Sequence, residues 1–321
     1  MMSVVFLVFK IVIAFILICI LALALLGGVG HIFRLGDQPS FSMIEVEGDR
    51  RLHYVCEGPK GAPFVLYDAG AFGIYTDGWW LLQELSKDHR VCLYDRAGMG
   101  WSDPVPEGVS PSPDWHVDDM RRLRAALGED APFVLIGHSM AGIRLHAYAN
   151  AYPEDLLGLV FVDAARPQTL QTERIQSFIP WMSRALSVSS FFARLGLAGG
   201  AAFLLPDELD LSGAPARDKR RSVSAVSHHK ATKGELLAAV TAWPDASWNS
   251  QTGAERIPTF VYSNSENGGA NASVALEAKK VTGIGGVTGL PDESHVSLLN
   301  KTNAEKISRD VREITGRVKD Q

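Results

Sequence analysis

The sequence predicts an α/β protein: a mostly parallel eight-stranded sheet flanked by helices, with a helical insertion and an apolar helix at the start. Three observations carry this prediction. Apolar runs rich in β-branched residues alternate with segments of helical spacing, the pattern of strand–helix–strand units. That alternation stops from Pro167 to about Arg256. Finally, the stretch from Val4 to Leu26 holds a single charge, Lys10.

The apolar start comes first in the chain. Ile11 to Leu26 is unbroken apolar sequence, and with Lys10 snorkelling toward headgroups it reaches roughly the 20 residues that cross a bilayer core of about 30 Å. Residues 1–30 therefore read as an uncleaved transmembrane signal anchor. Ala22-Leu23-Ala24 resembles a processing site, but the apolar run continues past it into Leu25-Leu26-Gly27-Gly28, further than a cleaved leader needs. Lys10 on one side and Arg34 on the other leave little charge asymmetry, and an extracytoplasmic domain is only slightly favoured.

Residues 40–321 read as one catalytic domain. Strands are expected at Ser42–Val46, Leu52–Cys56, Phe64–Tyr67, Val91–Tyr94, Phe133–Ile136, Gly158–Val162, Thr259–Tyr262 and Gly283–Val287. Helices are expected at Trp79–Leu85, Val117–Leu127, Met140–Ala149 and Ala304–Val318. In the second of these, Val117, Met120, Leu123 and Leu127 form one buried stripe. Residues 167–256, with aromatic helix-like pieces and no convincing strand, read as an inserted helical cap.

The formal charge of −5, with Lys and Arg dispersed, argues against a nucleic-acid partner. The one dense basic run, Arg217 to Arg221, reads as a solvated helix face. Of three cysteines Cys19 lies in the apolar start, while Cys56 and Cys92 fall in β-like runs and read as small buried side chains rather than a bridge or a nucleophile. His228-His229 has no third ligand at a recognisable spacing, so it reads as a solvated cap turn, with no metal. Asn271-Ala272-Ser273 and Asn300-Lys301-Thr302 match the glycosylation pattern by chance.

The chemistry concentrates at Gly137-His138-Ser139-Met140-Ala141-Gly142. A strand precedes it and a helix follows, so the chain must bend sharply there; small neighbours permit the bend, and the apex serine is pushed outward. The helix beginning at Met140 aims free N–H groups and its dipole at the space above Ser139, where an oxyanion would form. The Met140 amide is one expected donor. The side chain of His138 should point away from the apex.

With Asp68-Ala69-Gly70-Ala71-Phe72-Gly73 after the third strand, Asp95-Arg96-Ala97-Gly98-Met99-Gly100-Trp101-Ser102 after the fourth and the elbow after the fifth, the chain resembles the α/β-hydrolase superfamily, especially bacterial members with an N-terminal membrane helix and a cap. The resemblance runs from Ser40 to the end. Ala141 stands where the family more often has glycine, and Asp68-Ala69-Gly70 replaces the frequent His-Gly pair. What the resemblance implies is a serine hydrolase needing no metal or cofactor, with an acyl-enzyme intermediate and Ala71 supplying the second oxyanion amide. The Asp95–Ser102 turn is assigned no chemistry. Epoxide hydrolases and dehalogenases of the family use a carboxylate at the elbow, which fits Ser139 less well.

The family's general base comes last in chain order, and His295 in Pro291-Asp292-Glu293-Ser294-His295-Val296 fits it. Two carboxylates compete for the third place: Glu266 after the seventh strand, slightly favoured, and Asp163 at the end of the sixth. Asp292 and Glu293 rank lower because neighbouring side chains seldom face one another. The cap's Phe178, Trp181, Met182, Phe191, Phe192, Leu195, Phe203 and Leu204 suggest a hydrophobic ester as substrate, although packing against the core should account for most of them. Carbon–carbon bond hydrolysis, cofactor-free perhydrolysis, or a membrane-tethered binding module with little turnover are the competing readings.

Overall fold

The computed structural model describes residues 2–34, 37–195, 207–242 and 254–316. Helix α1 (Met2–Arg34) leads into the hairpin β1 (Ser42–Glu47) and β2 (Arg50–Glu57), then β3 (Phe64–Asp68), α2 (Trp79–Leu85), β4 (Arg90–Tyr94) and α3 (Pro113–Leu127). Next come β5 (Phe133–His138), α4 (Ala141–Ala151) and β6 (Leu156–Val162). Among the described residues three helices follow, α5 (Glu173–Arg194), α6 (Gly213–Val223) and α7 (Val226–Ala242), before β7 (Thr259–Ser263), α8 (Ala272–Thr282), β8 (Gly285–Gly289) and α9 (Lys301–Gly316).

The strands form one eight-stranded sheet in the order β1-β2-β4-β3-β5-β6-β7-β8. The β1–β2 and β2–β4 pairs are antiparallel and the remainder are parallel. Central strands β3 and β5 are buried at every position, which explains why they read as continuous apolar runs rather than alternating ones. Two hydrophobic clusters cover the two faces: Phe64, Leu66, Phe133 and Leu135 point into one, Val65, Tyr67, Val134 and Ile136 into the other.

Local signals set the element ends. Helix α3 starts where Ser112 Oγ accepts from the Trp115 amide at 3.2 Å with Pro113 in the first turn, and it stops at Gly128, whose φ of 71° supplies the left-handed cap. Helix α8 was not expected, because its buried face is built from Val274, Ala275 and Ala278, a short and weakly apolar stripe. Asn271 at its start is buried, donates to Ala164 O and binds His146, so it is no glycosylation acceptor.

Two readings of the sequence are corrected here. Cys56 and Cys92 are disulfide-bonded: β2 runs antiparallel to β4, the residues face each other in register, and their Cα atoms are 4.2 Å apart, near the spacing of a non-hydrogen-bonded pair. His228 and His229 are buried in helix α7, not in a solvated turn. The basic run is partly as expected: Arg217 and Arg220 are exposed, but Asp218 is buried against Tyr75 and Ser40, and Arg221 lies 3.3 Å over the Trp101 ring.

Helix α1 has 33 residues, about 50 Å at 1.5 Å per residue, and its Val5–Ala22 window has a mean hydropathy of 3.2, long and apolar enough to cross a bilayer.

Closing a 36-residue separation, the Cys56–Cys92 bond is worth about 3–4 kcal/mol by chain entropy. The double variant Cys56→Ser/Cys92→Ser should therefore unfold at markedly lower urea concentration in mild detergent, and an unchanged midpoint would count against the bridge.

Candidate active site

Strands β5 and β6 are parallel neighbours, and one residue past their last paired positions, His138 and Val162, stand Ser139 and Asp163. Both occupy the left-handed backbone region, with φ of 55° and 41°. Such geometry costs on the order of 1–3 kcal/mol per non-glycine residue and persists only where surrounding contacts enforce it. Here the Ser139 amide donates to Val162 O at 3.1 Å and the Ala165 amide to Ser139 O at 2.8 Å. The bend also demands missing side chains, since a Cβ on Gly137 would lie 2.5 Å from Leu145 and one on Gly142 2.2 Å from Ala165 O. Ala141, where the family more often has glycine, is fully buried.

His295 follows β8, and its Nδ1–H donates to Asp163 Oδ2 at 2.5 Å. The other Asp163 oxygen accepts from Ser263 Oγ at 3.0 Å. Burial alone would raise the Asp163 pKa, but the hydrogen bonds and charge of His295 outweigh it and hold the carboxyl below the usual range. Glu266, the carboxylate favoured from chain order, is exposed and makes no hydrogen bond or ion pair among the described residues. The partner of His295 is thus Asp163, because β6 adjoins β5 and the residue that follows its end lies beside the elbow. Glu293 accepts from Ser297 Oγ at 2.5 Å and Asn303 Nδ2 at 2.8 Å, which anchors the His295 loop.

His138 is more than a spacer. Its Nε2–H donates to the backbone carbonyl of His295 at 2.9 Å and the two rings lie 4.5 Å apart, so the residue before Ser139 supports the His295 loop. The sequence reading of His138 did not include this contact with His295. No hydrogen bond joins Ser139 Oγ to His295 among the described residues; such bonds often tighten only when substrate binds.

The loop after β3 approaches the serine closely. A Cβ on Gly70 would lie 2.7 Å from Ser139 Cβ. The Gly73 amide donates to Gly70 O at 3.0 Å, closing a turn whose third residue, Phe72, has a φ of 58°. Neither the Ala71 nor the Met140 amide donates to an acceptor among the described residues. Beneath the loop lies a buried charge cluster invisible to local sequence reading: Asp68, Arg96, Arg144 and Glu235, with His116 against Glu235. Two anions face two cations, and burial lowers His116 to about 4, keeping it neutral. Burial raises Glu235, but Arg96, His116 and Arg144 overcome it and bring it to about 2.

Among the described residues no three His, Cys, Asp or Glu side chains converge in a metal-holding group. Phe203 and Leu204 lie outside the described residues.

Gly70→Ala should push the loop from Ser139. The expected loss is about 1–3 kcal/mol of stability together with slower covalent labelling of Ser139, and wild-type labelling would disprove the close approach. Four buried histidines, His116, His138, His146 and His228, are each lowered by burial to about 4 from the ordinary 6.5. Because the unfolded chain takes up these protons first, stability is complete above pH 6.5 and falls as pH drops toward 4. Urea midpoints measured from pH 8 to 5 should decline, and a flat profile would contradict the burial.

A family described as alpha/beta hydrolase fold matches residues 69–283. Mouse epoxide hydrolase 4 is 30% identical over 117 residues, 36% of this chain and 32% of that protein. The matched segments span from 16% to 46% of the length of the curated relatives. Among solved structures, an esterase from Thermogutta terrifontis superposes with a TM-score of 0.62 at 20% identity, covering 86% of this chain and 98% of that one. A membrane phospholipase A described as a bacterial virulence factor gives 0.60 at 17% identity, covering 98% and 99%. With two thirds of its length matched by the family and the sheet order described above, the chain belongs to the alpha/beta hydrolase fold family.

Proposed function

We propose that the protein is a serine hydrolase of carboxylic esters with an apolar portion, tethered to a membrane by α1. The observation that carries the reading is the Nδ1–H bond from His295 to Asp163 at 2.5 Å beside a serine at φ 55° on the adjoining strand end. That bond fixes the tautomer and leaves Nε2 unprotonated to accept the Ser139 proton. Ser139 Oγ attacks the ester carbonyl, the Ala71 and Met140 amides receive the oxyanion, and His295 returns the proton to the departing alcohol. Water, deprotonated by the same ring, then releases the acid. A hydroxyl at the elbow favours this acyl-enzyme route over epoxide opening.

The apolar substrate class rests on the cap. Helix α5 buries Ile179, Leu186 and Ala193 yet leaves Trp181 60% and Phe191 58% exposed, with Phe178 and Phe192 exposed as well. Packing therefore explains only one of its two apolar faces, and Met140 beside the nucleophile belongs to the cap's own cluster with Ile179, Leu186 and Leu236. The Cys56–Cys92 bond supports an extracytoplasmic catalytic domain, since disulfides persist in oxidising compartments.

A fluorophosphonate probe should label the wild type and not Ser139→Ala. On p-nitrophenyl esters of graded chain length, Asp163→Asn should lower kcat by about 10²- to 10⁴-fold, whereas Glu266→Gln should stay near wild type. Labelling that survives Ser139→Ala, or a reversed order of the two carboxylate variants, would overturn this assignment.

A further inference from the structure

Arg96, 1% exposed in the turn after β4, joins the cap to the loop facing Ser139. Its Nε and Nη2 donate to the two Glu235 carboxylate oxygens at 2.8 and 3.0 Å, and Glu235 stands on cap helix α7. Its Nη1 donates to Ala69 O at 2.6 Å and its Nη2 to Gly70 O at 2.8 Å. Arg144 of α4 adds a second bond to Ala69 O, also at 2.6 Å. Two turns earlier on the same face of α7, His228 Nε2–H donates to Phe72 O at 3.1 Å. Between these two grips, Ala231 closes on Gly98, where a Cβ would meet it at 2.8 Å, and Thr232 touches Met99.

A trans peptide holds its C=O and N–H on opposite sides of one plane, and there is no cis bond among the described residues. Fixing Gly70 O on the buried guanidinium therefore turns the Ala71 N–H away from Arg96, and Gly70 is the residue pressed against Ser139. Rotating that peptide would strip a buried charged donor of its acceptor, which is costly where water cannot replace it.

We propose that cap helix α7 sets the oxyanion donor: Glu235 through Arg96, and His228 through Phe72, hold the peptide that aims the Ala71 amide at the oxygen of a tetrahedral ester adduct. This rests on the serine hydrolase reading and assigns Arg96, Glu235 and His228 as positioning residues that do not touch substrate. Docking of α7 on the core and completion of the oxyanion site are then one event. The grip is already set near neutral pH, because burial and the neighbouring His229 lower His228 to about 4 and so preserve its neutral, Nε2-protonated form.

The test uses the full chain in detergent, with p-nitrophenyl butyrate as substrate and an alkyl boronic acid as a probe of the tetrahedral adduct. Glu235→Gln and Arg96→Lys should lower kcat by about 10- to 100-fold with KM changed less than about threefold, and weaken the boronic acid in the same proportion, because a misaimed donor is felt only where charge develops. A merely structural role would lower the melting temperature without that split. Should both variants fail to fold, His228→Leu and His228→Gln decide, since glutamine offers an N–H near the Nε2 position: the leucine variant should show the kcat loss and the glutamine variant should recover it. Folded variants with kcat and boronic acid affinity within about twofold of an active wild type overturn this proposal alone. A wild type inert toward both the ester and the fluorophosphonate overturns the hydrolase reading, and this proposal with it.

Discussion

One shared corner at the ends of β5 and β6 governs the rest of the site. Two non-glycine residues, Ser139 and Asp163, sit there in the left-handed region, and the backbone bonds linking Ser139 with Val162 and Ala165 hold the two strand ends to each other. Neither conformation would survive alone. Because the strands are parallel and adjacent, their register sets Ser139 and Asp163 at neighbouring strand ends, and His295 reaches Asp163 from the loop after β8.

Beneath the corner the protein tolerates a second expense, four charges in its interior. Asp68, Arg96, Arg144 and Glu235 balance in sign, and each makes at least two hydrogen bonds. Breaking such a cluster by removing one member typically costs about 3–5 kcal/mol, more than a well-packed apolar substitute would forfeit. The arrangement makes sense as a device for direction: an aliphatic core can support a loop, but only fixed donors can dictate which way its peptide groups point.

Much of the scaffold is legible in the sequence. All eight strands lie within two residues of their expected starts or ends, and for the central β3 and β5 the reason is double-sided burial, which writes them as apolar runs. The elbow is legible for a related reason, a strand, a serine among small residues and a helix in immediate succession. What depends on pairing across the sheet is not. Glu266 looked suitable from chain order, yet adjacency of β6 to β5 decided for Asp163; Cys56 and Cys92 became a bridge only because β2 pairs with β4 rather than with β3. Arg96 and Glu235 are 139 positions apart, and each alone reads as an ordinary surface charge.

The cap of this fold is easily regarded as an exchangeable module that decides which molecules enter. Here one of the helices between β6 and β7 also bears on the scaffold under Ser139, at His228 and Glu235. On the proposed reading, recombination that grafts a foreign insertion between β6 and β7 would inherit a new entrance and, unless those two side chains travel with it, a disarmed centre. Diversification of such a chain is constrained to proceed around α7, through the exposed face of α5, where substitutions leave the machinery below untouched.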